Sequence, residues 1–292
     1  MAPSARTTSV ARSTVPAVRS AKVNRGDAPL VMVTAYDAPG ARIASEAGVD
    51  MILVGDSVAM VVLGYDDTLQ VTVDDLAHHV GAVARAKPDA LIVGDLPWLS
   101  YHVSSEDTVR NAARLILAGA QCVKLEGGRK RVPMIEALVD AEIPVMGHLG
   151  LTPQSVHAMG GFRVQAKESE AALQLVADAK ALQHAGCFAI VLEGVPDEVA
   201  RMVTDALDVP TIGIGAGRHC DGQVLVFHDV LGLEDRIVPK FVRRYASLKE
   251  DAVAAVGAFA SDVRSGAFPS DDESYHLNAE QAEALSLYGA EA

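Results

Sequence analysis

The sequence has few cysteines, few aromatic residues and no long hydrophobic run. Its three cysteines, Cys122, Cys187 and Cys220, are widely spaced and form no CxxC pair, which excludes a disulfide framework or a zinc ribbon. We interpret Cys122 and Cys187, which begin apolar segments, as small core residues. No apolar stretch reaches the roughly 20 residues that span a bilayer. These absences predict a soluble globular protein of a reducing compartment, the cytoplasm.

Basic charge is also scarce. The chain carries 25 Lys and Arg against 38 Asp and Glu, giving a net charge of −13. Nucleic acids and anionic membranes select basic surfaces, so the charge argues against both as partners. Half of the residues are hydrophobic, and the 292 residues are enough for one large α/β barrel domain.

The first 26 residues differ from the rest of the chain because they contain no acidic residue and are rich in Ser, Thr, Ala and Val. This composition predicts a disordered extension over 1–26 and leaves a mitochondrial targeting segment as the alternative. We predict a single barrel domain over 27–265 and an acidic tail over 266–292.

Eight short apolar segments follow one another from residue 30, and helical patterns separate most of them. They are LVMVTAY (30–36), MILVGD (51–56), ALIVGD (90–95), CVKLE (122–126), IPVMGH (143–148), FAIVLE (188–193), VPTIGIG (209–215) and QVLVFH (223–228). Nearly continuous aliphatic runs are typical of parallel strands buried on both faces. Eight of them in one domain predict a (β/α)8 TIM barrel, with an open doubly wound sheet as the alternative. The link GAGRHCDGQ before the last strand is too short for a helix.

Ionisable or hydroxyl side chains stand at the ends of most predicted strands, which is the active-site end of such a barrel. They are Tyr36, Asp37, Asp56, Ser57, Asp95, Glu126, His148, Glu193, His228 and Asp229. Several carboxylates on one rim repel each other unless a cation lies among them. Carboxylate oxygens without a Cys/His ligand set favour a hard ion, most naturally Mg2+.

Lys124 lies within a strand, two residues before Glu126, so the alternation of side chains places both inside the barrel. A buried lysine needs a negative partner. It either forms a structural ion pair with Glu126 or provides a cation for an anionic substrate. Together with a metal ion, the second reading points to a small oxyacid such as a 2-keto acid, and a remaining carboxylate could act as general base.

Longer motifs resemble one known family, in order and with few gaps from about residue 30 to 245. They include TAYDAPGARIASEAG, VGDS, GDLPW, VKLEGG, GHLGLTPQSVHAMGGFRVQ, VLEGVP and GIGAGRHCDGQ. This set resembles the ketopantoate hydroxymethyltransferases, which transfer a hydroxymethyl group to 3-methyl-2-oxobutanoate in pantothenate synthesis.

The resemblance implies a barrel of the phosphoenolpyruvate/pyruvate-like superfamily, one Mg2+ ion, 5,10-methylenetetrahydrofolate as one-carbon donor, and a homodecamer. It implies that Glu193 transfers the proton. It also implies a metal shell of Asp56, Asp95 and Glu126, the last directly or through water. The residues that it assigns to substrate binding are Asp56, Ser57, Asp95, Lys124 and His148.

Two other readings stay open at this point. One is another Mg2+-dependent C–C bond enzyme of the same superfamily, such as an isocitrate-lyase-like or phosphonopyruvate-type protein, although the chain lacks the reactive cysteine loop expected of the lyases. The other is a non-catalytic, metal-bound scaffold. Such a scaffold would tolerate the loss of Lys124 and Glu193, and both are present.

Overall fold

A computed structural model describes residues 12–234, 236 and 239–289, which form two compact units with a border between Arg244 and Tyr245. The strands are β1 (Leu30–Thr34), β2 (Met51–Val54), β3 (Leu91–Asp95), β4 (Cys122–Glu126), β5 (Val145–Gly150), β6 (Ala189–Glu193), β7 (Thr211–Ile214) and β8 (Gly222–Leu225). The helices of the first unit are α1 (Val15–Ser20), α2 (Ala38–Glu46), α3 (Val58–Val61), α4 (Val73–Arg85), α5 (Ser105–Ala118), α6 (Val132–Asp140), α7 (Val156–Met159), α8 (Ser169–His184), α9 (Asp197–Asp205) and α10 (Phe227–Leu231). The second unit contains α11 (Leu248–Ser265) and α12 (Ala279–Gly289), so the predicted 27–265 domain extends past the border.

Among the described residues, eight parallel strands pair in sequence order, and β8 pairs with β1 to close the barrel. The predicted TIM barrel is therefore confirmed over the doubly wound sheet. No helix separates β7 from β8 in this part of the chain, as the short link predicts. The predicted last strand is too long, because His228 lies in α10. No helix in the described ranges is long and apolar enough to cross a membrane.

Helices α1, α2, α4 and α5 each begin where a short polar side chain accepts a hydrogen bond from a free backbone amide. Thr72 accepts a hydrogen bond from the amide of Asp75, whose side chain accepts one in return from the amide of Thr72, forming a capping box at the start of α4. Ser104 caps α5 in the same way through the amide of Asp107. Gly119 ends α5 with φ +119°, a conformation that glycine adopts without a steric penalty.

Alternating strand residues build two separate apolar layers. In β2, Met51 and Leu53 belong to the cluster inside the barrel, whereas Ile52 and Val54 belong to the cluster between strands and helices. Because both faces of most strands are covered, their sequences are apolar at consecutive positions; Val31 in β1 and Gln223 in β8 are the exposed exceptions. A polar residue on the inward face is therefore an exception that needs a partner or a function.

The N-terminal helix α1 closes the amino-terminal end of the barrel. Val18 is 1% exposed and packs in the same cluster as Leu30, Met32 and Met51 from the barrel interior. Residues 12–26 therefore differ from the predicted disordered extension, because the open end of the barrel provides an apolar surface that this helix covers. The predicted disorder of residues 1–11 lies outside the described residues.

Lys22 fixes the chain that follows α1. Its side chain is fully buried, and Nζ lies 2.8 Å from Asp221 Oδ2 and 2.9 Å from the carbonyl oxygen of Thr204. Asp221 also accepts hydrogen bonds from the backbone amides of Val23 and Thr211. This buried pair joins the N-terminal segment to the residue before β8.

We expect Lys22→Met to lower the free energy of unfolding by about 3–5 kcal/mol, because it leaves Asp221 buried without its cation. Arg25→Ala is the matched control. Its ion pair with Asp208 joins two exposed side chains 3.6 Å apart, and exposed pairs contribute only about 0–1 kcal/mol. Urea unfolding followed by circular dichroism measures both changes. Equal destabilisation by the two variants would contradict a special role for Lys22.

Candidate active site

Strand register brings polar residues from neighbouring strands side by side. Asp95 at the end of β3 pairs with Lys124 of β4, and Glu126 of β4 pairs with His148 of β5. These residues continue the inward-facing positions of their strands, because side chains alternate with a period of two. Glu193 ends β6 on the same inward series. The predicted strand-end residues therefore meet at the carboxyl end of the barrel.

Lys124 lies at the centre of this cluster. Its Nζ is 2.8 Å from Asp95 Oδ1, 3.3 Å from His148 Nδ1 and 3.8 Å from Glu126 Oε1. The closest carboxylate is therefore that of Asp95 on the neighbouring strand, and the predicted structural pair with Glu126 is the longer contact. None of these four side chains is more than 4% exposed.

His148 links two carboxylates. Its Nδ1 lies 3.3 Å from Glu126 Oε1, and its Nε2 lies 3.2 Å from Glu193 Oε2. The Glu193 side chain is 16% exposed, against 3% for Glu126. Glu193 is thus the carboxylate with more access to a ligand, and the imidazole lies beside it.

Asp56 and Ser57 join the cluster from the turn after β2. The backbone amide of Asp56 donates to Asp95 Oδ2 at 3.1 Å, and Gln154 Nε2 donates to Asp56 Oδ2 at 2.9 Å. The Ser57 hydroxyl lies 2.9 Å from that of Tyr36. The structure thus gathers every sequence-predicted site residue, with Ser57 at the edge beside Tyr36.

Gly150 allows β5 and β6 to close around this site. It pairs with Glu193 in the sheet and has φ +95°. A Cβ atom there would collide with the carbonyl oxygen of Glu193, and L side chains rarely adopt this backbone conformation. We infer that glycine is required at this position for Glu193 to lie beside His148.

The three innermost carboxylates differ in their pKa values. Burial raises the pKa of Asp56 well above its ordinary value, and the charges of Asp95 and Glu126 raise it further. Burial also raises the pKa of Asp95, against the opposing effect of Lys124. Burial opposes ionisation of Glu126 as well, but its hydrogen bond with His148 and the charges of His148 and Lys124 lower its pKa.

The two basic groups are held in their charged forms. Burial and the nearby Lys124 would lower the pKa of His148, but its hydrogen bonds with Glu126 and Glu193 raise it to about 9. Burial would lower the pKa of Lys124, but the charges of Asp95 and Glu126 raise it. Glu126 therefore lies between two cationic groups, whereas burial is the main cause of the raised pKa values of Asp56 and Asp95.

The donor set of this region fits a magnesium ion. Within the described ranges, no three His, Cys, Asp or Glu side chains are arranged to hold a metal by themselves. Magnesium commonly binds through one or two carboxylates and completes its shell with water and substrate oxygens. Asp56 and Asp95 provide two such carboxylates, both buried and on neighbouring strand ends. Glu126 instead contacts Lys124 and His148.

The sequence reasoning missed two residues of this site. Tyr101 lies after β3, is 1% exposed, and its hydroxyl donates to Gln154 Oε1 at 2.6 Å. Gln154 lies in the segment after β5, where no periodic pattern identifies the inward-facing residues. The only available signal was the length of that segment, which is typical of a loop over a pocket.

Solved structures of low sequence identity share this fold. A phosphonopyruvate hydrolase has a TM-score of 0.58 at 15% identity and covers 96% of this chain and 96% of its own. A 2,3-dimethylmalate lyase, a member of the PEP mutase/isocitrate lyase superfamily, has a TM-score of 0.57 at 18% identity and covers 94% of this chain and 98% of its own. This chain thus shares its barrel fold with these structures.

The family is given by closer relatives. A model of the ketopantoate hydroxymethyltransferase family matches residues 12–271. A 3-methyl-2-oxobutanoate hydroxymethyltransferase of Bradyrhizobium diazoefficiens is 57% identical over 266 residues, which cover 91% of this chain and 90% of the relative. A second such enzyme, of Moorella thermoacetica, is 56% identical over 265 residues, which cover 90% of this chain and 98% of the relative. The chain belongs to the ketopantoate hydroxymethyltransferase family, and the predicted resemblance is confirmed.

Proposed function

We propose that the buried cluster around Lys124 is the active site at which this enzyme transfers a hydroxymethyl group to 3-methyl-2-oxobutanoate and forms ketopantoate for pantothenate synthesis. The observation that carries the proposal is the family match over 12–271, which includes every residue of the cluster. The one-carbon donor is 5,10-methylenetetrahydrofolate. Its methylene carbon becomes the carbon of the hydroxymethyl group, and tetrahydrofolate is released. The activity for which the relatives are named supports the keto acid as substrate.

Asp56 and Asp95 hold the Mg2+ ion in this proposal, and Glu126 contributes through water. When bound, the ion polarises the keto oxygen and stabilises negative charge that develops there. Lys124 provides positive charge for the carboxylate of the keto acid, and Ser57 provides a hydroxyl donor. The high pKa of Lys124 supports this role, since the ammonium group stays charged.

Glu193 is the general base that removes the proton from C3 of the keto acid. Its carboxylate is the partly exposed one of the cluster, and His148 fixes its orientation from 3.2 Å. Removal of the proton leaves a nucleophilic carbon at C3, which forms the new C–C bond with the methylene carbon of the folate. The two C–N bonds of that carbon break, water provides the hydroxyl oxygen, and the proton from C3 and one from water pass to N5 and N10 of the departing tetrahydrofolate.

The protein's location and assembly are part of the same proposal. Its three cysteines are unpaired and buried, which supports a reducing compartment such as the cytoplasm. The homodecamer rests on the family resemblance alone.

Removal of divalent metal tests the proposed function. We expect dialysis against EDTA to abolish folate-dependent formation of ketopantoate and added Mg2+ to restore it, because the keto oxygen is otherwise not polarised. The measurement is ketopantoate produced from 3-methyl-2-oxobutanoate and 5,10-methylenetetrahydrofolate. Potassium chloride at matched ionic strength is the control. Full activity in the metal-free enzyme would refute the metal assignment, and no product under any condition would refute the reaction.

A further inference from the structure

Gln154 connects the ends of three barrel strands. Its backbone amide donates to Glu126 Oε2 at 3.1 Å. Its side-chain Nε2 donates to Asp56 Oδ2 at 2.9 Å and to the carbonyl oxygen of Leu96 at 3.0 Å. Its Oε1 accepts from the Tyr101 hydroxyl at 2.6 Å. At 4% exposure, the residue is enclosed by these contacts.

The surrounding donors and acceptors fix the orientation of this amide. The Tyr101 oxygen accepts a hydrogen bond from the backbone amide of Glu126 at 3.2 Å, which directs its own proton to Gln154 Oε1. Burial raises the pKa of Tyr101, so the phenol stays protonated and remains a donor. The amide oxygen therefore faces Tyr101, and Nε2 faces Asp56.

A neutral amide suits a position beside a metal ligand. It stabilises the Asp56 carboxylate and fixes its rotation without adding a positive charge. A Lys or Arg side chain at the same distance would compete electrostatically with a divalent cation for that carboxylate. Lys124, in contrast, pairs with Asp95. The side-chain amide of Gln154 thus serves Asp56, whereas Asp95, the other proposed ligand carboxylate, has the ammonium group of Lys124 at 2.8 Å.

We propose that Gln154 is a positioning residue of the metal site, whose side-chain amide fixes the Asp56 carboxylate and thereby sets the affinity for the divalent cation. The inference rests on the proposed function, which makes Asp56 a metal ligand. Groups that orient metal ligands typically change metal affinity by about 10- to 100-fold when they are removed. Gln154 orients the Asp56 carboxylate from the segment over the barrel mouth, and Tyr101 holds the Gln154 amide in place.

Gln154→Met tests this role, because it keeps an unbranched side chain and the backbone bond to Glu126 but removes the donor to Asp56. We expect the dissociation constant of Mn2+, measured without substrate by electron paramagnetic resonance of the free ion, to rise about 10- to 100-fold. Gln174→Met is the matched control. It removes an exposed amide that donates to Asp178 Oδ1 at 2.8 Å on α8, and should leave the constant unchanged.

Tyr101→Phe provides a second, independent variant. It keeps the contact between Gln154 and Asp56 but releases the amide oxygen, so we expect a smaller rise in the Mn2+ dissociation constant. Adding Tyr101→Phe to Gln154→Met should produce little further rise, because both act on one contact.

The outcomes distinguish a positioning role of Gln154 at the metal site from a merely structural role. A lower melting temperature of Gln154→Met with an unchanged Mn2+ constant would show a merely structural role and overturn the inference. If that variant does not fold, an unchanged constant in Tyr101→Phe overturns it instead. Failure of the wild-type enzyme to bind Mn2+ would refute the proposed metal site itself, and the inference about Gln154 with it.

Discussion

In the Glu193→Gln variant, deuterium exchange at C3 of 3-methyl-2-oxobutanoate should fall by about 10²- to 10⁴-fold, the usual contribution of a general base. Glutamine has nearly the same shape and can still form a hydrogen bond with His148, which lies 3.2 Å from the carboxylate. It cannot accept the C3 proton. The keto acid and Mn2+ should therefore bind with dissociation constants close to those of the wild-type enzyme.

Exchange is measured by proton NMR in D2O with Mg2+ and without folate, so that only the proton-transfer step is observed. Glu170→Gln is the matched control, because it neutralises an exposed glutamate in the first turn of α8. It should exchange at the wild-type rate. Exchange at that rate in Glu193→Gln would assign the base to another residue.

In the Asp95→Asn variant, the affinity for Mn2+ should fall by more than about 100-fold, a larger loss than removal of an orienting group causes. The change removes one of the two proposed ligand carboxylates. It also removes the negative charge 2.8 Å from Lys124 Nζ, so the ammonium group would repel an incoming cation. The Asp95→Asn variant should therefore also lose Mg2+-dependent formation of ketopantoate.

Asp178→Asn is the control for this loss. It also removes a carboxylate 2.8 Å from a cation, here Arg129 Nε, and neither residue contacts the side chains of the cluster. Titration of both variants with Mn2+ measures the difference. If Asp95→Asn bound Mn2+ as tightly as Asp178→Asn, Asp95 would not be a ligand.

The barrel could be predicted from the sequence because most of its strands are covered on both faces. That coverage makes them nearly continuous apolar runs, and eight such runs predicted the eight strands. Strand lengths were less accurate, since β1 ends at Thr34 and β8 at Leu225 rather than at 36 and 228. A run of apolar letters does not mark where pairing with the neighbouring strand ends.

The strand residues of the site were equally predictable. Lys124 and Glu126 are two residues apart on a strand, so alternation alone places both on one face. Their partners depend on register, which single segments do not encode, and the closest partner of Lys124 is Asp95 rather than Glu126. Gln154 lies in a turn without periodicity. Its role depends on the folded position of that turn over β2, β3 and β4.

The closure of the barrel by α1 limits where the chain can be cut or fused. A protease that removed residues 1–26, as a targeting-peptide reading would suggest, would remove both the buried Val18 and the buried Lys22. The interior would then be open to water at the end opposite the active site, and Asp221 would lose its cation. N-terminal affinity tags and processing sites are therefore compatible with this fold only upstream of Thr14, the residue that caps α1.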